Sequence, residues 1–445
     1  MADVPREHWS NRRGFVLAAV GSAVGLGNMW RFSYLAAENG GAAFVILYLG
    51  ITLAVGLPVL LAELVIGRGA QKSPIRALTH FGGKNWTPLG VVFVAAGFLI
   101  LSYYAVIAGW TVRYAGIALF GGFDSTISER FGDIATGWDA FAFHVLFMAA
   151  TVGVVAGGVK AGIERTAMVL MPVLFTIVCG LALYAATLDG ARAGYSYYLE
   201  ADFSKILSLG VLKDAAGQAF FSLSLGMGAM LTFASYLGRE HNLPNESVVI
   251  VGSDVAIAFI AGLVVFPLIF ALGLSDQVGK ETMGALFITL PQAFAGMGAV
   301  GRVVGFLFFA ALIVGALTSA ISLLEVVVSS AIDGLGWSRG RATVLAGLAI
   351  TALGIPSAWS TDALGVIDQI ANNLFLLGGG LALSLFAGWV MKDPIAEVRT
   401  GAEGVGWFFL WLLFLRFAVP LTLGFVLYQA IPDTLAAVAG LFSNS

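Results

Sequence analysis

The chain has 445 residues, of which 59% are hydrophobic and 11% charged, and its mean hydropathy is +0.92. Soluble domains contain about 25% charged residues, so this composition excludes a soluble globular protein and indicates a polytopic membrane protein. The net charge of −3 gives no indication of a nucleic-acid partner, and the single Cys179 excludes an intrachain disulfide and a cysteine metal cluster.

The first twelve residues (MADVPREHWSNR) are charged and amphipathic and lack the pattern of a cleavable signal, so we expect the first span to remain in the mature protein. Eleven apolar stretches then predict membrane spans. In chain order, spans 1 to 11 are 14–37, 42–67, 88–120, 141–158, 166–188, 211–238, 248–274, 300–332, 342–358, 363–391 and 406–430. Lys and Arg are more frequent in the loops on the N-terminal side. This bias predicts a multi-pass protein of the cell inner (plasma) membrane, with a cytoplasmic N-terminus and an external C-terminus.

Span 1 contains a segment, GSAVGLGNMWRF at 21–32, that is unsuited to a continuous helix. Each of its three glycines weakens a helix by about 1 kcal/mol relative to alanine, and a charge such as Arg31 at mid-bilayer costs at least about 2.5–3.5 kcal/mol. We therefore expect an unwound segment that lines a protein cavity, where free carbonyls can bind a cation and a helix N-terminus can bind a carboxylate. The alternative is a glycine-rich packing helix with Asn28 and Arg31 near its outer end.

The glycines of span 1 have a counterpart in span 6. Gly25 and Gly27 flank Leu26, and Gly226 and Gly228 flank Met227 in the same way. Because five spans separate the two segments, they cross the membrane in opposite directions. Interrupted helices at matching places in two inverted halves indicate a transporter binding site, although Gly-x-Gly alone is common in membrane helices.

Four segments together resemble the neurotransmitter:sodium symporters, in particular the bacterial hydrophobic amino-acid transporters with the LeuT fold. They are GSAVGLGNMWRF at 21–32, AENGGAAF at 37–44, QAFFSLSLGMGAM at 218–230 and GALTS at 315–319. The resemblance runs from Arg6 to about Trp389. It implies an all-α membrane protein with two five-helix inverted repeats and one further helix, giving eleven transmembrane helices, of which helices 1 and 6 are unwound. The implied parts are a cytoplasmic segment (1–13), two repeats (14–190 and 191–391) and a last helix with a short external C-terminus (392–445).

The resemblance also implies two sodium sites, made of hard oxygen ligands. The second site would use the carbonyls of Gly21, Val24 and Gly315 and the hydroxyls of Thr318 and Ser319. The alternative for these two hydroxyls is a hydrogen bond to their own helix, which is common for Ser and Thr.

The first sodium site would use the Ala23 carbonyl, the side chains of Asn28, Ser222 and Asp254, and the substrate carboxylate. Many relatives carry Asn where this chain has Asp254. A buried carboxylate is costly in a span unless it is paired, and a neighbouring sodium ion would pair it. The alternatives for Asp254 are a proton relay or packing against another polar group.

Chloride-dependent animal members of the family use a Ser one helical turn after this position, together with a Tyr, a Gln and another Ser. This chain has Tyr48, Gln218 and Ser222, but Ala258 stands at the place of that Ser. Because Asp254 supplies a fixed negative charge one turn away, we expect transport to be independent of chloride.

The resemblance implies gates on both sides of the site. Arg31 and Asp368 would form the external gate, and the internal gate would consist of Arg6, Trp9, Tyr236 and Asp333. Glu63 and Glu325 lie deep in spans 2 and 8 and must be paired or protonated.

Glu63 resembles the family's structural carboxylate that supports the unwound helices, whereas Glu325 has no assigned role and could couple protonation to transport. The four histidines (His8, His80, His144 and His241) are scattered, show no zinc-ligand spacing and are expected at the surface.

The substrate expectations rest on Gly25, where monoamine transporters of this family carry an Asp that neutralises the amine. With Gly at this position the substrate should bring its own carboxylate, held by the amides of Leu26 and Gly27 and the hydroxyl of Tyr104. The adaptable Met227 should admit bulky and aromatic side chains, unless it only fills core space. The full expected substrate-binding set is Ser22, Ala23, Gly25, Leu26, Gly27, Ile100, Tyr104, Phe221, Ser222, Ser224, Met227, Ser319 and Leu323.

The sequence thus predicts a sodium-coupled symporter that imports hydrophobic and aromatic L-α-amino acids by alternating access. Its expected partners are the amino acid, Na⁺ and the lipid bilayer, with no cofactor besides the coupling ion. A transporter of another small amino solute and a transport-like amino-acid receptor remain as alternatives. An embedded enzyme is disfavoured because no nucleophile–base pair or metal motif is present, and a channel because no filter or charged ring is present.

Overall fold

The computed structural model describes residues 6–124, 126–204, 208–271, 273, 285–402 and 406–443. Over these ranges the chain forms helices and no β-strand, with one isolated bridge between Gly41 and Ala201. The expectation of an all-α membrane protein is confirmed.

The helices of the N-terminal half correspond to spans 1 to 5. Span 1 consists of Arg12–Ala23, the π-helical turn Gly27–Arg31 and Phe32–Glu38. Span 2 consists of Ala42–Ile51, the π-helical Thr52–Gly56 and Leu57–Ala70, and is followed by the short helices Pro74–Gly82 and Lys84–Trp86. Span 3 is Thr87–Phe120, and the outer helix Phe131–Ala135 precedes span 4 at Gly137–Ala156. Span 5 is the π-helical Val159–Glu164 continued by Arg165–Ala185.

The C-terminal half begins with the outer helix Ala191–Leu199. Span 6 is Leu209–Ser222 and Ala229–Ala234, and span 7 is Leu243–Ala271. The short helices Ala285–Thr289 and Leu290–Gly296 precede span 8 at Gly298–Leu335. Span 9 is Arg339–Leu353 with Ile355–Trp359. Span 10 is Thr361–Ile370, Ala371–Leu376, Leu377–Leu385 and Phe386–Val390, and after Pro394–Arg399, span 11 is Phe408–Leu413, Phe414–Ala418 and Val419–Ser443.

Eight of these helical segments, 20–38 residues long, are apolar and long enough to cross a membrane, and the bent pair of span 1 adds a ninth. Spans 6 and 9 are built from shorter pieces, because span 6 is broken at its centre and span 9 turns at Gly354. All eleven predicted spans therefore have helical counterparts in the described chain, and nine of them reach membrane-spanning length.

Spans 1 and 6 are both interrupted near their middle. The helix of span 1 ends at Ala23 and resumes at Gly27, and its two parts are bent by 56°. The helix of span 6 ends at Ser222 and resumes at Ala229. The prediction of unwound helices 1 and 6 is confirmed, and the alternative of a continuous glycine-rich packing helix is wrong.

The matching glycines of the two breaks meet different structural demands. Gly226 and Gly228 have φ angles of +76° and +73°, in the region that glycine alone adopts freely. A Cβ at Gly226 would also lie 2.2 Å from the carbonyl oxygen of Leu376 in span 10. Gly25 and Gly27 have no positive φ, so their need for glycine arises from neighbouring side chains, described below.

Spans 3 and 8 pack along each other at the centre of the molecule, and span 1 lies against spans 5, 7 and 8. In their most apolar windows, 67% of span 3 and 78% of span 8 are buried, against 28% of span 5 and 33% of span 11. Spans 3 and 8 therefore form the protein interior together with the broken spans, while spans 5 and 11 turn most of their surface outward, towards lipid.

Candidate functional site

A small cavity of about 20 Å³ lies between the breaks of spans 1 and 6 and the facing sides of spans 3 and 8. Its lining residues are Ser22, Ala23, Gly25, Gly27, Asn28, Ile100, Tyr104, Phe221, Ser222, Ser224, Met227, Ser319 and Leu323. These include every residue expected to bind substrate except Leu26, which lies beside the cavity and donates its N–H to the Tyr104 hydroxyl at 3.3 Å.

The glycines of span 1 leave room that any other residue would fill. A Cβ at Gly25 would lie 2.6 Å from Ser319 Oγ and 2.9 Å from the Tyr104 hydroxyl, and a Cβ at Gly27 would lie 2.7 Å from the Phe221 ring. Because real Cβ atoms essentially never approach within 3.0 Å, the cavity in its present shape requires glycine at both positions.

The side chains predicted for the first sodium site are in direct contact with one another. Asn28 Nδ2 donates to Ser222 Oγ at 2.9 Å and to Asp254 Oδ1 at 2.7 Å, while Asn28 Oδ1 accepts from Gly25 N at 3.0 Å. Ser222 Oγ lies 2.8 Å from both oxygens of Asp254, and the Tyr48 hydroxyl donates to Asp254 Oδ2 at 3.2 Å. Asp254 is thus a fully buried carboxylate surrounded by neutral donors. Such a group can bind a small hard cation through its oxygens.

Of the residues compared with a chloride site in the sequence analysis, Tyr48 and Ser222 contact Asp254. Gln218 Nε2 donates to the carbonyl oxygen of Gly27 at 3.0 Å, and Gln218 Oε1 is buried without a hydrogen-bond partner in the described structure. Ala258 is fully buried and supplies no hydroxyl there.

The groups predicted for the second sodium site also converge, where span 8 touches span 1. Thr318 Oγ1 donates to the carbonyls of Val314 and Gly315 at 3.1 Å, the back-bonding expected as the alternative. Ser319 Oγ makes the same kind of back-bond, 3.1 Å from Gly315 O, and also reaches across to span 1, 3.1 Å from Ser22 O and 3.4 Å from Gly21 O.

The remaining predicted groups of this site are close to the same contact. A Cβ at Gly315 would lie 3.4 Å from Val24 O, and one at Gly21 would lie 3.0 Å from Thr318 Cβ. The five predicted groups therefore lie around one helix contact.

The predicted internal gate is closed. Arg6 pairs with Asp333 at 2.7 Å and donates to Ser235 Oγ at 2.5 Å. The Arg6 guanidinium carbon lies 4.7 Å from the centre of the Tyr236 ring, and Trp9 Nε1 donates to Phe233 O at 2.9 Å. These contacts attach the N-terminal segment to spans 6 and 8.

Glu325 has partners that the sequence analysis missed. The Tyr236 hydroxyl donates to Glu325 Oε1 at 2.5 Å, and Arg339 donates to both Glu325 oxygens at 2.8 and 3.0 Å. Arg339 also pairs with Glu7 at 2.8 Å. Of the two options for Glu325, pairing or protonation, the structure shows pairing. The available signal was Arg339 itself, a basic residue at the start of the next span on the same side of the membrane.

The predicted external pair is apart in this structure. The guanidinium carbon of Arg31 lies 5.4 Å from the centre of the Phe221 ring, and Arg31 Nη1 has no hydrogen-bond partner among the described residues. Asp368 instead accepts from Asn372 Nδ2 at 2.6 Å. No ion pair joins Arg31 to Asp368 in the described part of the chain, so their role as a gate stays a prediction.

Glu63 supports the break of span 6. Its two carboxylate oxygens accept from Gly226 N at 2.9 Å and from Leu231 N at 3.2 Å, which satisfies backbone N–H groups that the interrupted helix leaves free. The expectation for His144 was wrong: it is fully buried in span 4, and its Nε2 lies 3.2 Å from the Thr351 carbonyl of span 9. A side chain that faces a neighbouring helix is buried even in a span that also borders lipid.

Comparison with known proteins extends these observations to almost the whole chain. A profile of the sodium:neurotransmitter symporter family matches residues 6–127 and 133–433. The "uncharacterized sodium-dependent transporter YhdH" of Bacillus subtilis is 34% identical over 447 residues, covering 95% of this chain and 97% of that protein. A second "uncharacterized sodium-dependent transporter", MJ1319 of Methanocaldococcus jannaschii, is 35% identical over 92% of this chain and 88% of its own length.

A solved structure gives the same result for the fold. The crystal structure of MhsT in complex with L-phenylalanine has a TM-score of 0.88 and 42% sequence identity, covering 96% of this chain and all of that chain. The relatives named in these comparisons are transporters. The chain therefore belongs to the sodium:neurotransmitter symporter family and is a sodium-dependent transporter with the LeuT fold, not an enzyme.

Proposed function

We propose that the protein imports hydrophobic and aromatic L-α-amino acids together with sodium, independently of chloride and by alternating access. The observation that carries this proposal is the lining of the cavity, which contains no Asp, Glu, Lys, Arg or His. A charged substrate side chain would have no countercharge there and would lose its hydration, which is costly. The similar MhsT was solved with L-phenylalanine, a substrate of the proposed class.

The substrate's charged groups are held at the breaks. Its carboxylate is held by the Tyr104 hydroxyl and the amides of Leu26 and Gly27, since Gly25 supplies neither bulk nor charge at that level. Its ammonium group finds uncharged oxygen acceptors, among them Ser224 Oγ. A decarboxylated amine lacks the anion that these donors bind and is expected to bind weakly.

Two sodium ions couple import to the membrane potential. The first is held by the Ala23 carbonyl, Asn28, Ser222, Asp254 and the substrate carboxylate, so that ion and substrate bind together. The second lies between the Gly21 and Val24 carbonyls of span 1 and Gly315, Thr318 and Ser319 of span 8. Each ion moved inward at 100 mV contributes about 2.3 kcal/mol. Two ions contribute roughly 4.6 kcal/mol, on the order of a thousandfold accumulation of a zwitterionic substrate from voltage alone.

The gates alternate around these sites. Closure of Arg31 over Asp368 covers the loaded cavity from outside, and loss of the Arg6–Asp333 pair, with Trp9 and Tyr236, opens it to the cytoplasm. The closed inner pair and the separated outer pair support this assignment. The proposed location is the cell inner membrane, with the N-terminal segment in the cytoplasm.

Chloride independence rests on two features. Ala258 lacks the hydroxyl that would complete a chloride site with Gln218 and Tyr48, and Asp254 supplies a fixed negative charge in place of the chloride ion. Replacement of chloride by gluconate is therefore expected to leave uptake unchanged. Uptake that falls to background in gluconate would contradict the role of Asp254 as the balancing charge.

The test of the proposed function is uptake by purified protein in proteoliposomes with an imposed sodium gradient. Competition by Leu, Ile, Val, Met, Phe, Tyr and Trp is expected to exceed competition by Asp, Lys or tryptamine, and uptake should carry net positive charge inward. If glycine or GABA competes best, the substrate class is wrong. Counterflow excludes a receptor, because a symporter exchanges labelled for unlabelled substrate while a receptor only binds it.

A further inference from the structure

Each of the four serines that line the cavity donates its hydroxyl hydrogen bond to another group of the protein. Ser222 Oγ donates to Asp254, Ser224 Oγ donates to Ser22 O at 2.8 Å, and Ser319 Oγ donates to the carbonyls around it, including Ser22 O at 3.1 Å. Ser22 Oγ donates to Ser322 Oγ at 2.7 Å. A hydroxyl has one proton and two lone pairs, so each of these serines can still accept a hydrogen bond but cannot donate a second one.

The direction of the Ser22–Ser322 hydrogen bond is fixed by a third group. Ser322 Oγ donates its single proton to Ser319 O at 2.7 Å, one turn earlier in span 8. Ser322 Oγ can therefore only accept from Ser22 Oγ, and Ser22 must be the donor. Both serines are 1% exposed, so solvent does not compete for these protons. Ser322 thus acts through Ser22 and is a positioning residue.

Ser22 lies in the last turn of the helix Arg12–Ala23, on the N-terminal side of the level where carboxylate recognition is proposed. Gly25, Tyr104 and Ser319 approach one another at that level. Ser22 precedes Gly25 by three residues, and its partner Ser322 follows Ser319 by three residues, about 4.5 Å along the continuous helix of span 8. The neighbouring lining residue on span 8 is the apolar Leu323. Ser22 is consequently a polar residue of the cavity lining that lies away from the carboxylate-binding level, at the end of the cavity left for the substrate side chain.

We propose that Ser22, oriented by Ser322, is an acceptor-only subsite for the tip of the substrate side chain. It favours side chains that end in an N–H or O–H donor, such as indole or phenol, over isosteres that lack the donor. This inference rests on the proposed amino-acid substrate and adds to it a specificity that an apolar pocket would not have. A purely apolar pocket would bind the less polar isostere equally well or more tightly.

The experiment compares tryptophan with 3-benzothienylalanine, in which sulfur replaces the indole N–H, as competitors of sodium-dependent leucine binding to the purified protein. The measured quantity is the ratio of the two competitors' inhibitory concentrations within one variant, so a loss of affinity that affects both competitors equally cancels. In the wild type, tryptophan is expected to compete at an about two- to tenfold lower concentration, the range of one net hydrogen bond. In Ser22→Ala the ratio falls to about one or reverses.

Two further variants separate the hydrogen bond from general disturbance. Ser322→Ala frees the proton of Ser22, so 3-benzofuranylalanine, whose ring oxygen is an acceptor, gains relative to benzothienylalanine. Ser329→Ala is the matched control, because Ser329 is also 1% exposed in span 8 but donates to Val326 O in its own helix. It should keep the wild-type ratio. If Ser22→Ala fails to fold, as judged by thermal melting, Ser22→Cys replaces it, since a thiol is a weak acceptor.

The outcomes separate this inference from the proposed function. If no amino acid competes for binding to the wild type, the proposed function fails. If leucine and tryptophan compete but benzothienylalanine equals tryptophan, or if Ser22→Ala keeps the tryptophan preference, the acceptor subsite is wrong while the proposed function stands. If Ser322→Ala leaves the affinity of benzofuranylalanine relative to benzothienylalanine unchanged, Ser322 does not orient Ser22.

Discussion

Gly25→Ala tests most directly whether the cavity described here is the binding site. The added Cβ would lie 2.6 Å from Ser319 Oγ, so the hydroxyl must leave its contacts with the carbonyls of Ser22 and Gly315, both 3.1 Å away. Loss of one hydrogen bond costs about 0.5–1.5 kcal/mol, and an off-rotamer side chain costs about as much again. Because the Ser319 hydroxyl is a predicted ligand of the second sodium ion and must return to its place to bind it, this sum of about 1–3 kcal/mol opposes binding. It corresponds to a roughly 5- to 150-fold weaker sodium-dependent binding of labelled leucine.

A double-mutant cycle with Ser319→Ala isolates the collision. Ser319→Ala alone is expected to weaken binding, but it removes the atom that the new Cβ meets, so Gly25→Ala should cost less in its presence than in the wild type. Gly50→Ala in span 2 is the matched control, because a Cβ there has nothing within 4 Å. Wild-type affinity in Gly25→Ala, or additive losses in the double variant, would refute the steric argument.

Three further predictions follow from the contacts of single side chains. In Glu63→Gln an amide NH₂ replaces one of the two carboxylate oxygens. A backbone N–H group that this oxygen accepts from, such as Gly226 N, then faces another donor and loses its hydrogen bond. It should lower stability by about 1–3 kcal/mol, seen as a lower Tm in detergent, and an unchanged Tm would contradict this role. Arg6→Gln removes the ion pair with Asp333, so hydrogen exchange of the N-terminal amides should become faster; equal exchange in both proteins would argue against a latch. Asn28→Ala removes one predicted ligand of the first sodium ion and should abolish sodium-dependent leucine binding, and retention of the wild-type sodium dependence would exclude the assignment.

The sequence predicted the residues around the cavity well because they lie in contiguous motifs. The glycines and Arg31 of segment 21–32 predicted a break in the helix, and the helix ends at Ala23. The sequence did not predict why each glycine is needed. Gly25 is required by side chains from spans 3 and 8, and Gly226 by its φ angle and by span 10. Such demands come from neighbours that are remote in the chain.

The partners of buried charges were harder to predict than the charges themselves. Composition shows that Glu325 is costly within span 8, but its partner Arg339 depends on the short turn that connects spans 8 and 9. The Ser22–Ser322 hydrogen bond joins residues 300 positions apart, and a serine in a membrane helix gives no sign of its acceptor. Arg31 and Asp368 illustrate the opposite case, since the family resemblance implies a pair that this conformation does not form.

The contact between the break of span 6 and span 10 has a mechanical consequence. Backbone meets backbone there, because a Cβ at Gly226 would lie 2.2 Å from Leu376 O and one at Gly379 would lie 2.3 Å from Gly226 O. Because no side chain lies between the two backbones, we expect the break and span 10 to move together. Asp368 lies eight residues before Leu376, about 12 Å along the helix, across the wider π-helical turn Ala371–Leu376. We therefore expect any shift of the break to displace the part of span 10 that carries Asp368, with the π-helical turn as the more deformable segment between them.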